Sequence, residues 1–225
     1  KPLGDKGFFV APHASYDSRI RSVYENNLRV GDYRVRRLGA GLDAGYTFRK
    51  SEIRFGFEIN RLRAALRVGS PNLPSYSGNE TRAFIRYEYD KTNSAFIPDK
   101  GFRFNVEARY FLAAPGAENG FPQTEAEFSG FDKLGKKGLI FINTAAGTTF
   151  TENAAPFQTF RLGGTGRLSA FNKNEFSGNN FVYTRAGYLR EVYTLPSIIG
   201  GKVYLIGAIE SGGAFNRFRA GDYYN

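Results

Sequence analysis

The sequence predicts an all-β, antiparallel chain, with a membrane-spanning β-barrel favoured over a soluble sandwich. Three observations carry this. Period-2 alternation of apolar and polar residues dominates the chain, and no segment offers a helical period. Aromatics make up 16% of the residues and glycines number 27, with no Trp, Cys or Met. That mix suits pleated sheet and penalises helix interiors. Several alternating runs reach about 10–13 residues, against about 5–6 for a typical soluble strand and about 9–11 for a membrane-crossing one.

In chain order, a first strand is read over about 7–17. Leu38 to Phe48 sets Leu38, Ala40, Leu42, Ala44, Tyr46 and Phe48 against Gly39, Gly41, Asp43, Gly45 and Thr47. Ile53, Phe55, Phe57 and Ile59 alternate with Arg54, Gly56, Glu58 and Asn60. A rougher strand covers 81–91. In 101–112, Phe102, Phe104, Val106, Ala108, Tyr110 and Leu112 oppose Arg103, Asn105, Glu107 and Arg109. Further strands fall at about 122–134, 138–150, 180–193 and 202–215, giving about nine. Arg49-Lys50-Ser51 and Gly135-Lys136-Lys137 are short polar turns, while 69–79, 114–122 and the Gly-rich segment around Phe160 are longer. Short turns at one end and long loops at the other are the habit of outer-membrane barrels. Aromatics near strand ends (Phe48, Tyr87, Tyr89, Tyr110, Phe111, Phe150, Tyr193) and glycines on the polar face point the same way. Alternation alone fits either a sandwich with its apolar face inward or a barrel with its apolar face to lipid.

Composition excludes several classes. Without cysteine there is no disulfide framework, thiol nucleophile or zinc finger. The single histidine, His13, rules out a multi-histidine metal site and reads as a lumen or core polar residue. No run of 18 apolar residues is present, so no transmembrane helix is expected. The net charge of +10 points to an anionic partner, either membrane phosphate with lipopolysaccharide or nucleic acid. The basic residues are scattered along the strands and form no dense run, so no nucleic-acid partner is expected.

Catalytic motifs are absent. There is no G-x-S-x-G. Gly130 to Lys137 (GFDKLGKK) mimics a phosphate loop, but Lys137 stands where a hydroxyl should bind magnesium, and a hairpin turn replaces the helix. Glu88, Glu107, Glu127, Glu191 and Glu210 lie in strands and are expected to pair with the interleaved arginines. No catalytic residue, cofactor or metal site is assigned.

The segment FRLGGTGRLSAF (160–171), followed by Gly178 and FVYTRAGYLREVY, resembles the surface-antigen barrel of the BamA-type superfamily. Within it, Leu168-Ser169-Ala170-Phe171 is most similar to the loop tetrapeptide of the C-terminal barrels of bacterial patatin-like phospholipases. GFFVAP (7–12), GLDAGYTF (41–48), FIPDKGFRF (96–104) and VYLIGAIESGGAF (203–215) follow in the same order.

The resemblance implies an incomplete segment of a larger transmembrane barrel over 1–225, with an inward-folding loop at 154–179. It implies a luminal loop motif of Phe160, Arg161, Gly163, Gly164, Arg167, Leu168, Ser169, Ala170 and Phe171, and a loop-locking strand motif at Glu210 and Gly212. The family's tip arginine is replaced by Ser169 and its glycine by Ala170, which leaves Arg161 or Arg167 as the candidate partner of Glu210. The implied role is an outer-membrane anchor and translocator for a lipase passenger, a type V secretion arrangement, with the hydrolase domain upstream. The implied partners are outer-membrane lipid including lipopolysaccharide, the lipase passenger domain in cis and the barrel-assembly machinery. A barrel that assembles other outer-membrane proteins or serves two-partner secretion is the alternative. A passive porin and a soluble basic sandwich binding an anionic polymer stand behind it.

Overall fold

The computed structural model describes residues 6–25, 28–95, 97–151, 154–196 and 201–216. Phe96, which opens the 96–104 motif, and the ends of the predicted span (1–5 and 217–225) lie outside the described residues. The strands are β1 (Lys6–Glu25), β2 (Leu28–Phe48), β3 (Ser51–Gly69), β4 (Tyr76–Asp90), β5 (Gly101–Ala113), β6 (Phe121–Leu134), β7 (Gly138–Thr149), β8 (Phe160–Leu162), β9 (Phe176–Gly178), β10 (Asn180–Thr194) and β11 (Lys202–Phe215). Nine of them form one antiparallel meander, β1-β2-β3-β4-β5-β6-β7-β10-β11, while β8 and β9 pair only with each other. The edges β1 and β11 do not pair together, so the sheet is open. Hydrocarbon cannot satisfy a free strand edge, so this open sheet is consistent with an incomplete barrel.

The sheet is inside out relative to a soluble protein. Leu38, Leu205 and Ile209 are 62%, 67% and 78% exposed, whereas Asp43, Glu80 and Glu107 are only 4–7% exposed. One face therefore carries the apolar alternation outward, and the other gathers the charges inward. Outward aromatics cluster at two levels. Phe8 and Tyr16 on β1 stand eight positions apart, as do Phe102 and Tyr110 on β5. Eight residues span about 26 Å of strand, or about 20 Å along the normal at a barrel tilt, close to the apolar band of a membrane barrel. Phe111 departs from its expected place in this girdle: it points inward, is 2% exposed and stacks on Phe121 with ring centroids 4.8 Å apart.

All nine predicted long strands are present, but β1, β2 and β3 run well past their predicted ends. The cause is a change in phase. In β2 the outward residues are apolar from Phe48 up to Leu38, and then become Arg36 and Arg34, while the inward residues become Val35 and Tyr33. In β3, beyond Ile59, Arg61 and Arg63 face out and Leu62 and Ala64 face in. The period of two continues while its polarity flips, as it must where strands leave lipid for water. Tyr33, Val35, Leu62 and Ala64 pack with Phe157 into a buried cluster there. The hairpin ends are also less regular than expected: residues 91–100 form a long connection on the short-turn side, opposite the end that carries 150–179.

Candidate functional site

Residues 154–179, between β7 and β10, fold against the inner face and are held at three levels. At the base, Phe157 wedges edge-on between Tyr33 and Tyr76, with ring centroids 5.3 and 5.4 Å away. Arg21 Nη1 donates to its carbonyl at 2.9 Å and Arg37 Nη2 at 3.3 Å. The Gln158 amide donates to Glu80, which also faces Arg37 Nε at 3.3 Å, and the Gln158 carbonyl accepts from Gln123 Nε2 at 2.9 Å. The Phe157 and Gln158 carbonyls and the Gln158 side chain meet wall residues, and the Gln158 N–H donates to the Ala155 carbonyl at 2.8 Å, which is what allows the wedge to be buried.

Above it, Arg161 donates to the carbonyls of Ser22 and Pro156, both at 3.2 Å. Burial, with Arg37 nearby, pushes its guanidinium down to about 10. Phe160 and Leu162 flank Arg161 on the other side of β8 and pack with Ala145, Leu168, Phe181 and Tyr183. The rings of Phe160 and Phe181 are 4.7 Å apart.

The tip is a glycine-built knot. Gly163, Gly164 and Gly166 have φ of 111°, 94° and 94°, and Leu168, a non-glycine, has φ of 64°. The Gly163 N–H donates to the Arg167 carbonyl at 2.9 Å and the Gly164 N–H to the Phe171 carbonyl at 3.1 Å. A Cβ on Gly163 would strike the Asn172 carbonyl, so glycine is required there. The left-handed turn at Leu168 buries its side chain against β10 and aims the following N–H at the wall: Ser169 N donates to Glu210 Oε2 at 2.6 Å. The Tyr183 hydroxyl shares its one proton between the Gly166 carbonyl at 2.7 Å and Glu210 Oε1 at 3.0 Å, and Glu210 Oε1 faces Arg185 Nε at 3.5 Å.

Neither Arg161 nor Arg167 meets Glu210. Arg167 pairs with Glu127, lies 3.8 Å from Glu125 and sits over the Phe181 ring at 5.6 Å. The knot explains this: the side chain at 167 is thrown towards β6, and only the backbone after Leu168 reaches β11. Ala170 and Phe171 are exposed, Phe171 resting edge-on against Phe176 at 4.8 Å. Gly212 lies in β11 opposite Tyr183, where a Cβ would crowd the Val182 carbonyl. Sequence reasoning missed Phe157, Gln158, Tyr183 and the wall residues Arg21, Arg37, Glu80 and Gln123. No local pattern marks them, since their roles exist only once the loop crosses the sheet.

The rest of the inner face is a charge ladder. Arg54 meets Asp43 and Glu52 at 3.2 and 2.6 Å, and Arg82 meets Glu58 at 2.8 Å. Arg86 pairs with Glu107, which also meets Arg109 at 3.1 Å, and Arg109 reaches Glu125 at 3.0 Å. His13 sits between Asp43 and Glu58 at 3.8 and 3.5 Å. A polar cavity of about 630 Å³ remains between this ladder and the loop, bordered by Asp17, Arg37, Glu80 and Arg161.

An apolar outer wall, a charged inner wall and a loop docked inside define a segment of a transmembrane β-barrel with a luminal loop. Residues 8–211 match the Omp85 superfamily domain, and the chain belongs to that superfamily. Among solved structures it is similar to BamA from Haemophilus ducreyi lacking POTRA domains 1–3, with a TM-score of 0.70 and 14% sequence identity. The match covers 92% of this chain and 46% of that one, so this chain spans under half the length of the BamA structure. No curated protein matches the chain significantly.

Proposed function

We propose that this segment is part of an outer-membrane anchor and translocator, non-catalytic in itself, whose passenger is a patatin-like phospholipase domain, in a type V secretion arrangement. The observation that carries the reading is the docked loop. Its tip, Leu168-Ser169-Ala170-Phe171, seats by backbone on Glu210 rather than by an arginine, which fits the phospholipase-type tetrapeptide. The inner wall offers a charge-paired, polar passage, as a translocator needs. A second reading, a barrel that assembles other outer-membrane proteins, is favoured by the structural likeness to BamA.

The test is to express the natural full-length protein in a Gram-negative host and follow the region upstream of the barrel. Under the first reading it becomes accessible to added protease at the cell surface and carries lipase activity, and it stays inside when the barrel is deleted. An upstream region that remains periplasmic, with other outer-membrane barrels depleted on loss of the protein, would overturn the passenger reading in favour of assembly.

A further inference from the structure

Four outward arginines are grouped at the upper ends of β2 and β3, whereas Arg190, at the lower end of β10, has no arginine opposite it. Arg34, Arg36, Arg61 and Arg63 are all exposed. Arg36 and Arg63 are direct cross-strand partners, flanked by Ser18 on β1 and Ser77 on β4. Arg61 stands one row below, opposite Leu38, and donates to Asn79 Oδ1 at 3.1 Å. Arg34 stands one row above, between Ile20 and Ala65. Among the described residues no carboxylate pairs with any of the four, in contrast to the inner face, where arginines alternate with acids. Like charges directly opposite in a sheet are destabilising, so this arrangement holds an unmet demand for an anion.

Its depth says which anion. Tyr16, Leu38 and Ile59, exposed and apolar, lie immediately below and end the unbroken outward apolar runs on these strands, beyond which Ile20 stands beside Arg34. The arginines therefore stand at the boundary between acyl chains and water, on the rim that carries the luminal loop. Guanidinium groups bind phosphate through two parallel hydrogen bonds, and the flanking hydroxyls and amide add further donors. Near the upper ends of β5, β6, β7 and β10 the outward residues are Tyr110, Leu112, Pro122, Thr148 and Val182, none of them charged, so among the described strands the clustered charge is confined to β2 and β3.

We infer that this patch is a binding site for the phosphorylated headgroup of a membrane glycolipid of the lipopolysaccharide type, its acyl chains lying along Tyr16, Leu38 and Ile59. Four cations with no acid among them match a headgroup bearing more than one phosphate better than a singly charged phospholipid. The inference rests on the membrane-barrel reading and adds a specific site to a wall for which that reading implies only general lipid contact.

The full-length protein refolded in neutral detergent micelles is titrated with bisphosphorylated lipid A, with the same lipid dephosphorylated, with phosphatidylglycerol and with inorganic pyrophosphate. Lipid A should bind most tightly. Arg36→Gln with Arg63→Gln should weaken it about tenfold or more, since two bidentate phosphate contacts are lost. Arg36→Lys with Arg63→Lys keeps the charge and should fall between, while Lys136→Gln with Lys137→Gln, an equal charge loss on the opposite turn, should leave affinity unchanged. Undiminished lipid A binding by the double Gln variant would overturn the site. So would equal loss in the Lys136/Lys137 control, equal binding of dephosphorylated lipid, or phosphatidylglycerol or pyrophosphate binding as tightly as lipid A. A wild-type protein that never acquires a heat-sensitive, fast-migrating form in micelles would instead overturn the membrane reading beneath it.

Discussion

Glu210→Ala should release the loop tip from the barrel wall. The carboxylate accepts from the Ser169 N–H at 2.6 Å and the Tyr183 hydroxyl at 3.0 Å, with Arg185 3.5 Å away. A hydrogen bond to a charged group contributes about 1.5–3 kcal/mol. Partial exposure screens these two, so about 2–3 kcal/mol for the pair is reasonable. At 1.4 kcal/mol per factor of ten, the open population of the tip should rise about 30- to 150-fold. The assay is trypsin cleavage after Arg167 and Lys173 in the micelle-refolded full-length protein, at protease levels where the rate follows the open population. Glu210→Gln retains an acceptor and should raise cleavage only about tenfold or less. Cleavage of Glu210→Ala at the wild-type rate, with the barrel intact by heat-shift, would refute the reasoning that the carboxylate holds the tip.

Three other outcomes are expected. Gly163→Ala combines a φ of 111° with a clash on the Asn172 carbonyl and should cost the docked tip about 2 kcal/mol; the same cleavage assay reads it, with Thr165→Ala as an unaffected control. Phe157→Ala empties the wedge between Tyr33 and Tyr76 and should cost about 3–5 kcal/mol, seen as a lower unfolding temperature and larger ion conductance in planar bilayers. Asp99, on the connection between β4 and β5, is held below the ordinary carboxylate range by the Lys133 ammonium 2.7 Å away and by Asn93. Because its folded pKa is depressed, its contribution is complete above the ordinary carboxylate pKa and is lost as pH falls through the lowered value. Carboxyl NMR titration should show this midpoint returning towards normal in Lys133→Gln.

The sheet was legible because lipid and lumen impose opposite polarity on alternate residues, so each strand records its two environments directly. The same rule hid the upper halves of β1–β3. At Leu38 and Ile59 the strands leave the bilayer and the polarity flips, so the apolar-out pattern ends while the backbone continues. The loop knot was legible through its glycines, whose conformations few other residues adopt. Its lock was not. Ser169 reaches Glu210 through a main-chain N–H, and that contact depends on the left-handed turn at Leu168, which nothing in the side-chain sequence encodes. Phe157 and Gln158 were invisible for a related reason: a wedge is defined by the walls it enters, and Tyr33, Tyr76 and Glu80 lie far away along the chain.

The central claim is that Phe57 and Ile142 face lipid while Ser15 and Ser129 face a wet interior. The absence of cysteine makes single-cysteine labelling clean. In the full-length protein reconstituted into liposomes, Phe57→Cys and Ile142→Cys should resist a water-soluble maleimide and react with a lipid-soluble one. Ser15→Cys and Ser129→Cys should show the reverse. Ready aqueous labelling at Phe57→Cys and Ile142→Cys, with protection at Ser15→Cys and Ser129→Cys, would contradict the account, because it would place the apolar face in water and the charged face in a dry interior.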